Sequence, residues 1–100
     1  MLYGYEIKPR DAALGGGWKL TLLVDGEEAG GGVFPVNRDA DPHAGMVWFN
    51  ALSERERAQW LERAASAVPA DAWGAYLSAE AHADAQNQGE AWAARNDPHQ

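Results

Sequence analysis

The stretch Leu14-Gly15-Gly16-Gly17-Trp18-Lys19-Leu20-Thr21-Leu22-Leu23-Val24-Asp25-Gly26-Glu27-Glu28-Ala29-Gly30-Gly31-Gly32-Val33-Phe34-Pro35 decides the fold of this chain. Two apolar runs flank Asp25-Gly26, and both central residues of a type I′ turn need φ > 0, which aspartate and glycine tolerate. The stretch therefore reads as a β-hairpin with strands at 18–24 and about 29–34, closed by Pro35. Trp18, Leu20, Leu22 and Val24 alternate with Lys19, Thr21 and Leu23, so the first set is expected to face the core. The glycines at 30–32 mark a bulge or a close backbone approach. The hairpin displays three carboxylates, Asp25, Glu27 and Glu28, at an exposed tip.

Upstream, residues 2–8 place Tyr3, Tyr5 and Ile7 on one side and Leu2, Gly4, Glu6 and Lys8 on the other, the period of two of a first strand. Pro9, Arg10 and Asp11 break it, and the glycines at 15–17 read as a flexible lead-in. Downstream, residues 37–45 are polar and turn-like, with Asp41-Pro42 as punctuation. Met46, Val47, Trp48, Phe49 and Leu52 form a short apolar patch that reads as a helical turn. Ser53 and Glu56 then have the spacing of a capping box. The helix they open is expected to reach about Val68, with Trp60, Leu61, Ala64, Ala65 and Val68 on its apolar stripe.

Pro69 suits the first turn of a second helix, running from 70 to at least 86 with Trp73, Tyr76 and Leu77 on its stripe. Gly89 either ends that helix or is tolerated within it, because Trp92 returns on the same stripe. Residues 96–100 are expected to fray. Strands followed by helices predict an α+β fold: a three-stranded antiparallel sheet, then two main helices packed on one face. The whole of 1–100 reads as one domain, with strands over about 2–35 and a helical half over about 46–93. Trp60 is expected in the core between the two long helices.

Apolar residues make up 46% of the 100, including five tryptophans, which is enough for a modest core. There is no cysteine, which excludes disulfides and thiolate metal sites. No basic start with an apolar run opens the sequence, and no segment approaches a membrane span. These features point to a cytosolic protein. The net charge of −7 argues against direct nucleic-acid binding and suits a protein partner with a basic surface.

The glycine triplets lack the strand–helix context of a phosphate-binding loop. His43, His82 and His99 are far apart without a shared spacing, and the serines lack a nucleophile-elbow context. Glu27 and Glu28, on an exposed tip, lack the dry pocket a general acid needs. The inventory points to no enzyme, no cofactor and no metal. Most of the tryptophans read as core anchors. Trp48-Phe49, in the irregular middle, is the pair expected to reach a surface, where tryptophan favours protein contacts. Asp25, Glu27, Glu28, Trp48 and Phe49 are thus the candidate partner-binding residues.

Several pieces of the chain carry a family resemblance: Tyr5-Glu6-Ile7-Lys8-Pro9-Arg10, Leu14-Gly15-Gly16-Gly17-Trp18, and the run from Asp25 to Pro35. Further on come Trp60-Leu61, Pro69-Ala70-Asp71-Ala72-Trp73, Ala75-Tyr76-Leu77 and Gly89-Glu90-Ala91-Trp92. Together they resemble a family of small proteobacterial proteins found on phages, plasmids and integrated elements, similar to type I-F anti-CRISPR proteins. The resemblance implies an inhibitor that binds a type I CRISPR-Cas surveillance complex stoichiometrically, through its Cas proteins, and blocks target DNA engagement. The competing expectation is a non-catalytic accessory of a mobile element, or an antitoxin-like interaction module.

Overall fold

In the computed structural model, residues 1–96 are described. A meander of three strands, β1 (Tyr3–Pro9), β2 (Trp18–Val24) and β3 (Glu27–Phe34), precedes three helices, α1 (Pro42–Ala51), α2 (Glu54–Ala64) and α3 (Pro69–Asn96). All pairing is antiparallel in the order β1-β2-β3, giving an α+β fold. Asp25 and Gly26 have φ of 53° and 83°, the left-handed pair that a two-residue hairpin turn requires. The register then slips between Leu22, opposite Gly30, and Leu23, opposite Glu28, leaving Ala29 as the extra residue of a bulge. Gly31 sits where a Cβ would collide with the Leu20 carbonyl oxygen, so the glycines serve a close approach between β2 and β3.

α3 is the spine of the molecule. Its C-terminal half lies under the sheet: Tyr3 meets Trp92 edge to face at 5.6 Å, and the Tyr5 hydroxyl donates to Glu90 at 3.2 Å. Near its middle, the Trp18 indole N–H donates to the Ser78 carbonyl at 2.9 Å. Its N-terminal half carries α1 and α2 through Trp73 and Tyr76. The interior is small: among the described residues only Leu20, Ala72 and Ala85 are fully buried apolar side chains. A radius of gyration of 16.4 Å exceeds the roughly 13 Å of a spherical 100-residue domain, because elements flank a 28-residue helix instead of closing around a centre.

Two glycines set the packing distances along this spine. A Cβ on Gly45 would fall 2.8 Å from Trp73 Cδ1, and one on Gly89 would fall 2.6 Å from Tyr5 Cγ. Gly89 therefore neither ends α3 nor is merely tolerated in it; it makes room for an aromatic ring.

The helical half departs from the sequence reading at three points. The expected turn at 37–45 holds only over 37–41, and a ten-residue helix, α1, takes up 42–45 together with the helical turn expected after it. Asp41 is its N-cap, accepting the Ala44 N–H at 3.0 Å, and Pro42 supplies a pre-set φ in its first turn. The second helix ends at Ala64, short of Val68. Ala65 is left-handed (φ 51°, ψ 45°), and its N–H and that of Ser66 turn back to Glu62 and Leu61. Ala65 and Val68 consequently leave the stripe, and Val68 is 51% exposed. Finally, Trp60 is half-buried and not in a sealed core. It meets Trp48 at 5.8 Å and Tyr76 at 5.5 Å, with the Arg63 guanidinium 4.5 Å over its ring.

The capping box of α2 forms as the spacing predicts, with Ser53 Oγ accepting the Glu56 N–H and Glu56 accepting the Ser53 N–H. The Gly15–Gly17 segment is held in place, because Arg10 donates to the carbonyls of Gly16 and Leu14 at 2.9 and 2.8 Å. The part of the expected fray at 97–100 lies outside the described residues.

Candidate functional site

The five candidate partner residues divide between two ends of α3. The hairpin turn sits beside Tyr3, which contacts Trp92, whereas Trp48 lies 5.4 Å from Trp73. Nineteen residues of helix separate Trp73 from Trp92, roughly 28 Å along the axis. The two groups cannot make one compact site.

At the hairpin end, the three carboxylates do different things. Asp25 is exposed, but its Oδ1 accepts the Leu2 N–H at 2.7 Å while its own N–H donates to Leu2 O. It ties the start of the chain to the turn, which is a structural task. Glu27 and Glu28 belong to β3 itself, opposite Val24 and Leu23. Neighbouring strand residues point to opposite faces, so Glu27 emerges on the face that packs on α3 and Glu28 on the open face. The expected cluster at an exposed tip is thus dispersed: two glutamates back to back, and an aspartate already engaged.

At the other end, Trp48 and Phe49 are both half-buried. Trp48 is the hub of an aromatic cluster, with ring centroids 4.8 Å from Tyr76, 5.4 Å from Trp73 and 5.8 Å from Trp60. Phe49 lies under Arg57, whose Nε and Nη2 donate to the Phe49 and Asn50 carbonyls at 3.0 and 2.9 Å. Arg57 thereby caps the C-terminus of α1 from α2, where a cation also meets the negative end of the helix dipole. The residues of α1 that reach solvent are its neighbours Met46 and Val47, 63% and 56% exposed. The sequence reading placed both in its apolar patch without singling them out, because the helix was not expected to start as early as Pro42; Asp41-Pro42 followed by an apolar run was the available signal.

Charge is distributed with a bias. Lys8, Arg10, Arg38, Arg57 and Arg63 are engaged by carboxylates, carbonyls or an aromatic ring. Among the described residues, Glu27, Glu28, Glu54, Glu62, Glu80 and Asp84 are exposed and make neither an ion pair nor a hydrogen bond. Glu80 and Asp84 lie at i, i+4 on one face of α3.

Of the histidines, His43 is exposed on α1 and His82 sits edge to face on Trp18 at 4.8 Å, while His99 lies outside the described residues. Among the described residues no group of three or more histidine, aspartate or glutamate side chains could hold a metal ion, and no helix is long and apolar enough to cross a membrane. No protein-family model, curated protein or solved structure matches this chain.

Proposed function

We propose that this chain is a stoichiometric protein inhibitor that docks carboxylates on a basic surface of a type I CRISPR-Cas surveillance complex and so blocks target DNA engagement. One observation carries the reading: five of the eight lysines and arginines are engaged by other groups of the same chain, while six exposed carboxylates are left without a partner among the described residues. A complex that grips DNA does so with lysines and arginines, and carboxylates set against those cations compete for the same contacts. The family resemblance read from the hairpin and helix motifs names the partner.

The test is target-duplex binding by a purified type I surveillance complex, followed by fluorescence anisotropy with this protein added in increasing amounts. DNA binding is expected to be lost at a fixed stoichiometry, and inhibition to weaken steeply between about 50 and 200 mM salt. Unchanged DNA binding at a large excess of the protein retires the reading.

Exposed Met46 and Val47 favour a second reading, a non-catalytic accessory or antitoxin-like module that associates through its aromatic end. Such association rests on apolar burial, so its affinity is expected to hold or rise with salt.

A further inference from the structure

The groove between α1 and the first turn of α3 belongs to no element of the carboxylate-based reading. Its walls are Pro42, Gly45, Met46, Pro69, Ala70 and Trp73, and it encloses about 140 Å³. A cavity of about 150 Å³ accommodates a benzene ring, so this groove has room for one leucine- or phenylalanine-sized side chain.

It is also preformed. The contact between Gly45 and Trp73 sets the spacing of its two helices, and proline fixes the backbone at the start of each. Arg38, on the rim, is paired with Asp71 of α3 and with Asp39, which pins the connecting loop beside the opening. A docking side chain therefore meets a shaped wall without first ordering it.

Charge at the rim selects the occupant. Arg38 faces two acids, and the Asp39 side chain remains 83% exposed. Asp41 is exposed at the head of α1. The rim is thus acidic around an apolar hole. A second copy of this chain also carries −7 and would be repelled.

We propose that this groove seats a single apolar anchor side chain of a partner protein, flanked on the partner by lysine or arginine. The inference rests on the basic partner proposed above and adds to it the point where that partner is gripped. That grip lies at the opposite end of α3 from the hairpin.

The experiment is an NMR titration of the full chain, reading the Trp73 indole N–H and the Met46 methyl. The probes are capped tripeptides with lysine–leucine–lysine, lysine–serine–lysine and glutamate–leucine–glutamate sequences. The first is expected to shift both signals saturably, and the other two to bind about tenfold more weakly or not at all. Ala70→Trp, at an exposed position on the wall, is expected to fill the groove and abolish the shifts while leaving the thermal midpoint in place.

Three results overturn the inference: equal shifts from the serine peptide, shifts that survive Ala70→Trp, or shifts that follow protein concentration with no peptide present. The last would make the occupant a second copy. Failure here is separable from failure of the function. Inhibition of the surveillance complex that Ala70→Trp retains would keep the inhibitor and refute the groove. Selective peptide binding with no inhibition would do the reverse.

Discussion

Gly89→Ala isolates the contact that joins sheet to spine. In an ordinary helix interior the substitution stabilises by about 1 kcal/mol, because alanine restricts the unfolded chain and glycine does not. Here the new methyl would lie 2.6, 2.7 and 2.9 Å from Tyr5 Cγ, Cδ2 and Cδ1. Those atoms cannot swing aside as a side-chain tip can. They are the root of a ring anchored on β1, whose hydroxyl is held by Glu90 on the same helix. Relieving the overlap means shifting strand against helix, and overpacking of this kind costs about 1–3 kcal/mol.

With three ring atoms inside 3 Å the upper part of that range applies, so the variant is expected to lose a net 1–2 kcal/mol, or about 5–10 °C in thermal midpoint. Urea unfolding and a thermal scan followed by circular dichroism would measure it. The background Tyr5→Ala removes the ring, and there the same substitution should regain its usual benefit and raise stability by about 1 kcal/mol. The resulting coupling of about 2–3 kcal/mol is a double-mutant-cycle quantity and does not depend on what Tyr5→Ala itself costs. A Gly89→Ala protein that melts higher than the parent with Tyr5 in place would refute the packing argument and the register that produces it.

Arg57→Met should lower stability by about 1–2 kcal/mol and detach α1 first, visible as early hydrogen exchange at residues 46–51, since it removes two charge-assisted bonds to α1 carbonyls. Trp60→Ala should cost about 2 kcal/mol, below the 3–5 of a sealed tryptophan, because one face of the ring is already covered only by Arg63. The Ser53 backbone and hydroxyl hold the Glu56 carboxyl below its ordinary pKa. A depressed acid stabilises above its unfolded value and stops doing so as pH falls through the folded one, so the melting gap between parent and Glu56→Ala should close below about pH 4. A gap that widened in acid would contradict the capping box. Charge reversal of Glu27 and of Glu28 should weaken partner binding unequally, because the two lie on opposite faces of β3; equal effects by anisotropy would count against a flat basic contact.

What the sequence disclosed follows the range of the interactions involved. The hairpin was legible because Asp25-Gly26 is a local device, and the capping box at Ser53 because its partner is three residues away. The bulge could be located at the glycines, yet its consequence for Glu27 and Glu28 could not be seen. Which face a strand residue takes depends on pairing register, and here Ala29 is inserted without a partner. Asp41-Pro42 was ambiguous for a physical reason: the same pair that punctuates a turn also caps and opens a helix, and the difference lies in whether the following apolar run finds a surface. Gly45 against Trp73 provided that surface for α1. Neither residue reveals the other at a distance of 28 positions.

The same reasoning explains why the five candidate residues fall on separate surfaces within a fold that was correctly anticipated. Carboxylates and tryptophans can be counted in a sequence, but a site needs them on one surface, and α3 decides which surface each joins. It holds the hairpin near Trp92 and the aromatic cluster near Trp73, at opposite ends of a rigid element. A partner gripping the groove at Pro42 and Trp73 would reach Glu27 or Glu28 only by spanning most of the 48 Å length of the molecule. Glu80 and Asp84, on the helix between the two ends, are nearer to either. Electrostatic contact along α3 and apolar anchoring at its head are therefore compatible with a single docked partner. The hairpin glutamates and the groove serve one partner together only if its surface is about as long as the protein itself.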